Sequence, residues 1–177
     1  MGTLQTEPAL GRPDLLAPPV LAALQTWERA GEVHVAPIDP ELADTAAFCD
    51  AYQVGLDVSA NCVVVAGKRE GVTRYAACMI LATTRADVNG VVRRRLDVRK
   101  ASFAPMDTAV SETGMEYGGI TPIGLPEGWP ILVDAAVAGT PHVIIGSGIR
   151  GSKIALPGKA LADLPGAVVI DGLGVPS

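Results

Sequence analysis

Two apolar runs, Cys62–Ala66 and Thr73–Ala82, flank the polar segment Gly67-Lys68-Arg69-Glu70-Gly71. Both runs are strand-sized and rich in Val, Ile and Ala, and glycine stands at each end of the segment between them. This pattern predicts a β-hairpin and commits the middle of the chain to a sheet. Further short strands are expected at Val33–Val35, Lys100–Phe103, Ile131–Asp134, His142–Ile145, Lys153–Leu156 and Ala167–Ile170.

Helical spacing alternates with these strands. Leu15, Leu16, Val20, Leu21, Leu24 and Trp27 share one face of a helix expected over Asp14–Ala30, with Pro18 and Pro19 interrupting its start and Gly31 ending it. Asp39 is placed to cap a second helix beginning at Pro40, carrying Leu42, Ala46, Phe48, Cys49 and Tyr52 and stopping before Gly55. Short helices are expected at Asp87–Leu96, Asp107–Thr113 and Pro157–Leu164. Irregular alternation with at least one hairpin indicates an α+β domain with a mixed, largely antiparallel sheet. No repeat or linker divides the chain, so residues 1–12 read as a flexible tail and 13–177 as one domain.

Composition removes several function classes. Hydrophobic residues make up 49% of the chain and the formal net charge is only −5, which excludes a disordered chain. Only seven residues are aromatic, so the core must be built from Val, Leu, Ile and Ala. The longest uncharged apolar stretches, Cys62–Gly67 and Ala76–Ala82, fall far short of the roughly 20 residues of a membrane span. Glu7, Pro8, Pro13 and Asp14 break the first residues where a secretory signal would need an apolar run. Cys49, Cys62 and Cys78 are odd in number and irregularly spaced, which argues against a disulfide framework and for a reducing, cytoplasmic setting. With two His and no C-x-x-C, neither a zinc site nor a cofactor is implied.

Two glycine-rich segments carry the chemistry. Tyr117-Gly118-Gly119-Ile120-Thr121-Pro122-Ile123-Gly124-Leu125-Pro126 offers a rigid main-chain surface able to hold a carbonyl, a carboxylate or a ribose. Gly146-Ser147-Gly148-Ile149-Arg150-Gly151 adds a hydroxyl and a guanidinium. It matches G-x-G-x-x-G literally, but a dinucleotide site needs a helix at that point and a strand follows. Tight turns without a ligand are the competing reading of both segments. Arg93, Arg94, Arg95, Arg99 and Lys100 crowd one stretch against a single acid, Asp97, forming a basic patch that either steers a polyanion or is a solvated face. No aromatic residue interleaves with it, so base stacking is not supported there. His34 and His142 lack a triad context, Cys62 and Cys78 read as core, and Asp134 ends an apolar strand where it faces the glycine loops or caps a turn. Any catalysis must then work by positioning and electrostatics.

The order of these motifs resembles the YbaK/ProX family, the aminoacyl-tRNA deacylases related to the editing insertion of bacterial prolyl-tRNA synthetase. Gly118 to Pro122 is similar to that family's G-x-x-x-P loop, and Ser147 to Gly151 to its late glycine loop; the resemblance spans roughly Val33 to Leu164. It implies a barrel-like mixed sheet with flanking helices, and a pocket where the ester of a mischarged tRNA is hydrolysed with help from a substrate group such as the terminal ribose hydroxyl. It assigns catalysis to Asn61, Gly118 and Gly119, and substrate binding to Ala60, Ile120, Thr121, Pro122, Asp134, Gly146, Ser147, Gly148, Arg150 and Gly151. Acceptor-stem phosphates fall to Arg93, Arg94, Arg95, Arg99 and Lys100, and the implied partners are the tRNA acceptor end and prolyl-tRNA synthetase. One departure stands out. The family carries a Lys at the start of the first hairpin strand, whereas here Ser59-Ala60-Asn61-Cys62-Val63 contains none. Lys68 and Arg150 lie elsewhere in the sequence. The alternative to an active deacylase is therefore a relative that binds tRNA, a nucleotide or an aminoacyl derivative without turnover.

Overall fold

The computed structural model describes all 177 residues. The hairpin forms from β3 (Ala60–Arg69) and β4 (Val72–Leu81), paired from Ala60↔Leu81 to Arg69↔Val72. Its turn is tighter than the glycine spacing predicts: Glu70 and Gly71, both at positive φ, close it, so Lys68 and Arg69 are exposed strand residues. β6 (Ala101–Phe103) pairs antiparallel with β3. β7 (Ile131–Asp134) joins β4 in parallel, and β10 (Ala167–Ile170) joins β7 in parallel. The result is a five-stranded mixed sheet ordered β10-β7-β4-β3-β6.

A second sheet, ordered β1-β2-β9-β8, is wholly antiparallel and built from β1 (Glu7–Pro8), β2 (His34–Pro37), β8 (Val143–Gly146) and β9 (Ser152–Leu156). A small pair, β5 (Thr84–Ala86) with β11 (Gly174–Pro176), completes the strands. A bridge between Ser59 and Ile144 ties the start of β3 to β8 and so joins the two large sheets.

Side-chain alternation explains the layers. Ile154, Leu156, Val143 and Ile145 from one sheet meet Ala60, Met79, Ile131 and Val133 from the other in the main core, closed by Val20 and Leu24 of α1 (Pro18–Thr26). The outer face of the mixed sheet, with Val65, Cys78 and Ile80, is covered by Val92 and Leu96. The outer face of the antiparallel sheet, with Ile144 and Ala155, is covered by Phe48 and Cys49 of α2 (Thr45–Tyr52).

Several boundaries differ from expectation for local reasons. The region around Pro40 splits: Asp39 caps only a 3₁₀ turn at Pro40–Leu42, and Asp44 caps α2 by accepting from the Ala46 N–H. The expected first helix is confined to α1 between two 3₁₀ turns, since Pro18 and Pro19 suit a helix start but not its interior. The basic stretch winds as a π-turn, Val88–Val92, before α3 (Arg93–Leu96). The remaining helices are α4 (Met106–Thr113), α5 (Ala135–Ala138) and α6 (Gly158–Leu161). Within the segment expected to be a tail, Glu7 and Pro8 pair with β2, Ala9 is fully buried and the Thr3 N–H donates to Tyr52.

Candidate functional site

The two glycine loops meet backbone to backbone. The Gly148 N–H donates to Gly119 O at 2.7 Å, the Glu116 N–H to Gly148 O at 2.9 Å, and the Arg150 N–H to the Glu116 carboxylate at 2.7 Å. A Cβ on Gly119 would stand 2.6 Å from Ile149 O, and one on Gly146 2.5 Å from Gly119 O. These glycines therefore let the loops approach each other, and only Gly118 presents an exposed glycine backbone to the cavity beside them.

That cavity, of about 470 Å³, lies where the start of β3, the start of α2, the Gly118 loop and β9 converge. Ala60, Asn61, Gly118, Ile120, Gly146 and Arg150 line it, so six of the residues expected at a site are brought together. The Asn61 side-chain oxygen accepts from the Thr45 hydroxyl at 2.7 Å, which fixes the amide against α2. Arg150 clamps the rim: its guanidinium donates to Tyr117 O at 3.0 Å and Pro40 O at 3.1 Å. Gly118 holds φ +87°, and a Cβ there would come 2.6 Å from the Arg150 guanidinium. A side chain at 118 would strain the backbone and push the clamp aside.

The other expected site residues are placed elsewhere. The Ser147 hydroxyl is turned inward, 2.6 Å from that of Ser152, and Gly148 packs on Ala17. Thr121 is buried beneath the loop, its hydroxyl without a partner and its N–H directed at the Met115 sulfur. Pro122 opens on a different cavity, and Gly151 follows the loop without lining the first one. Asp134 sits at the end of β7 near Gly174 and Thr84; burial pushes its carboxyl up from the ordinary value, with backbone N–H groups of Gly174, Ala136 and Ala135 opposing the shift. Burial disfavours the thiolate at each cysteine, including Cys62 in the cavity wall, raising Cys78 to about 12 and Cys62 further still.

Lys153 is the cavity residue that sequence reasoning missed. It lies in β9 with all five strand residues buried, and is itself 9% exposed. Its strand neighbours in register, Ala36 and Gly146, are small and leave it room. The ammonium stands 5.0 Å from the centre of the Phe48 ring and donates to Ala43 O at 3.3 Å, with no carboxylate within ion-pairing distance. Desolvation pulls its pKa below the ordinary lysine value; nearby Cys49 and Asp44 oppose that shift, and Arg150 adds to it. The signal was present as a single Lys inside the apolar strand Ser-Lys-Ile-Ala-Leu directly after a glycine loop.

The basic segment lies toward the far end of the hairpin. Asp97 is engaged by Arg69 at 3.0 Å and faces Arg74 at 3.9 Å, while Arg93 donates to Asn89 O. Arg94, Arg95, Arg99 and Lys100 remain exposed without an acidic partner. Arg99 and Lys100 border a groove with Lys68, Thr73 and Tyr75, and the Tyr75 ring stacks on Trp129 at 4.9 Å.

Comparison with known proteins places this arrangement. A scaffold protein from computational epitope backbone grafting aligns with a TM-score of 0.74 at 22% identity, covering 88% of this chain and 95% of the scaffold. A crystal structure of a candidate trans-editing enzyme for prolyl tRNA synthetase aligns with a TM-score of 0.73 at 22% identity, covering 88% and 94%. At these identities the likeness is one of fold. The family described as the aminoacyl-tRNA editing domain matches residues 39–164, a stretch holding the hairpin, the basic segment and both glycine loops. The chain belongs to the aminoacyl-tRNA editing domain family.

Proposed function

We propose that the protein is a trans-acting deacylase that hydrolyses the ester of a mischarged tRNA, with tRNA-Pro species as the first substrates to consider. The observation that carries this reading is the cavity itself: a pocket with Lys153 and Arg150 set against one carboxylate, Asp44, in a chain whose net charge is −5. An anionic ligand end suits such a lining. In this reading Asn61 and Arg150 orient the terminal adenosine, and the Gly118–Ile120 backbone, held by Gly119 against the second loop, faces the aminoacyl ester. Water is the nucleophile, and the terminal ribose hydroxyl takes part where a protein side chain would otherwise assist.

The basic groove fits the rest of the substrate. Ala66 and Lys68 share a face of β3 with Ala60 and Cys62, and the four-residue step from Cys62 to Ala66 sets the near edge of the groove about 13 Å from the cavity. Acceptor-stem phosphates would follow that face to Arg99 and Lys100, with Arg93, Arg94 and Arg95 on α3 across the sheet adding positive charge nearby. Such a role puts the chain in the cytoplasm alongside prolyl-tRNA synthetase, whose errors it would clear. A binding-only relative is the second reading, favoured by Ala60 or Asn61 standing where the family has Lys.

The test is hydrolysis of tRNA-Pro carrying Ala, Cys or Pro, with Ala- and Ser-mischarged species of other tRNAs alongside. The expected result is loss of one mischarged species while Pro-tRNA-Pro is spared. A flat panel from folded protein would replace this reading with the binding-only one.

A further inference from the structure

We propose that Lys153 is the group that stabilises the negative charge developing on the ester carbonyl oxygen during hydrolysis, an assignment that rests on the deacylase reading above. A buried ammonium without a carboxylate is unfavourable, because desolvation outweighs what one carbonyl and one aromatic face return. Lys153 has only the Ala43 carbonyl as a hydrogen-bond acceptor, so its other two N–H donors have none in the protein. Such a cation, in the wall of a cavity and anchored from below by Phe48, is complementary to an anion that arrives with the substrate.

Depth separates its role from that of Arg150. A tRNA end is tethered, so its chain must leave by the rim, and only the terminal aminoacyl group reaches the interior. Arg150 is half-exposed and ties the rim together, which suits the last phosphodiester. Lys153, at 9% exposure, is left to the ester. In the reaction, the oxygen of water bonds to the carbonyl carbon, and the carbonyl oxygen carries the negative charge in the tetrahedral intermediate. The bond to the ribose oxygen then breaks, one proton of the water ends on that ribose oxygen, and the carboxylic acid releases the other. Lys153 keeps its proton throughout and acts by charge in a site of low polarity.

The experiment compares wild type, Lys153→Met and Lys153→Arg by single-turnover hydrolysis of whichever species of the mischarged panel above wild type clears, across pH, with thermal unfolding of each. Lys153→Met is expected to lower the rate constant about 10²–10³-fold with little change in the tRNA concentration giving half-maximal rate. Its Tm should stay level or rise, because a desolvated charge has been removed. Wild-type activity requires the ammonium, so it is lost as pH rises through a Lys153 pKa lying below the ordinary lysine value. Lys153→Arg stays charged, so it should keep measurable activity and lose that alkaline fall. If wild type is active and Lys153→Met matches it, or if the Arg variant keeps the same alkaline fall, the assignment is overturned while the deacylase reading stands. Should Lys153→Met fail to fold, the pH profile of Lys153→Arg decides alone. A folded wild type inactive on every species of that panel overturns the deacylase reading and this assignment with it.

Discussion

The segment from Tyr117 to Pro126 borders two cavities that differ in chemistry more than in size. Its first residues, Tyr117, Gly118 and Ile120, face the cavity of about 470 Å³ that holds Lys153, Arg150 and Asn61. Its last, from Pro122 to Pro126, face a cavity of about 680 Å³ lined by Trp27, Trp129 and Leu164, whose only charged residue is Glu127. The larger space has apolar walls and almost nothing to orient a substrate; the smaller has two cations, a fixed amide and an exposed glycine backbone. Between these two, volume alone would favour the Trp-lined cavity. Convergent polar groups and a displaced pKa favour the other.

The strongest test of that contrast is Gly118→Val. The new side chain meets the Arg150 guanidinium and forces φ +87° on a β-branched residue, so both the rim and the loop shift. Activity should fall at least about 100-fold, measured by deacylation, with circular dichroism confirming the fold. Next in size is the removal of Arg99 and Lys100 charges by substitution with Gln. Apparent tRNA affinity should weaken several-fold, and its salt dependence should flatten by about one unit of slope for each phosphate no longer neutralised. An unchanged slope would mean that the nucleic acid takes another path. Asn61→Lys sharpens the comparison further. If Lys153 already supplies the cavity's charge, a second ammonium adds repulsion and turnover does not rise. A clear gain would mean that the β3 position still governs activity. The smallest effect on activity is expected from Trp129→Ala in the larger cavity. It should cost roughly 1 kcal/mol by removing the stack with Tyr75, seen by denaturation, and leave hydrolysis unchanged.

Much of the fold was legible because local signals agreed with tertiary packing. Ile131–Asp134 and Ala167–Ile170 form strands at the expected residues, as apolar runs bounded by glycine and proline. The hairpin was also legible, although its polar end reads as a loop in sequence; Lys68 and Arg69 are strand residues whose side chains reach water. Helix starts were less readable. Asp39-Pro40 and Asp44-Thr45 both carry a capping signal, and only packing of Phe48 against the antiparallel sheet decides which one opens the longer helix.

The cavity was legible in its loops and not in its walls. Gly118, Arg150 and Asn61 converge because the Ser59–Ile144 bridge brings the start of β3 beside β8. Asp134 and Ser147 looked equally suited to chemistry, yet one is buried beside Gly174 and the other is turned toward Ser152. Sequence spacing cannot tell such residues apart, because the face a strand-end side chain adopts is set by which strand lies beside it. Lys153 is the converse case, since its place opposite Gly146 and Ala36 follows from the register of β9 against its neighbour β8 and against β2, which lies far away in sequence.

The most direct measurement maps where the substrate end lands. The backbone amide spectrum would be recorded during titration with adenosine carrying alanine through an amide at the 3′ position, a mimic that resists hydrolysis. Saturable shifts at Asn61, Gly118, Arg150 and Lys153, with the Trp129 indole unmoved, are the expected result. Shifts centred on Trp27, Trp129 and Leu164, with Lys153 unmoved, would contradict the assignment of the site.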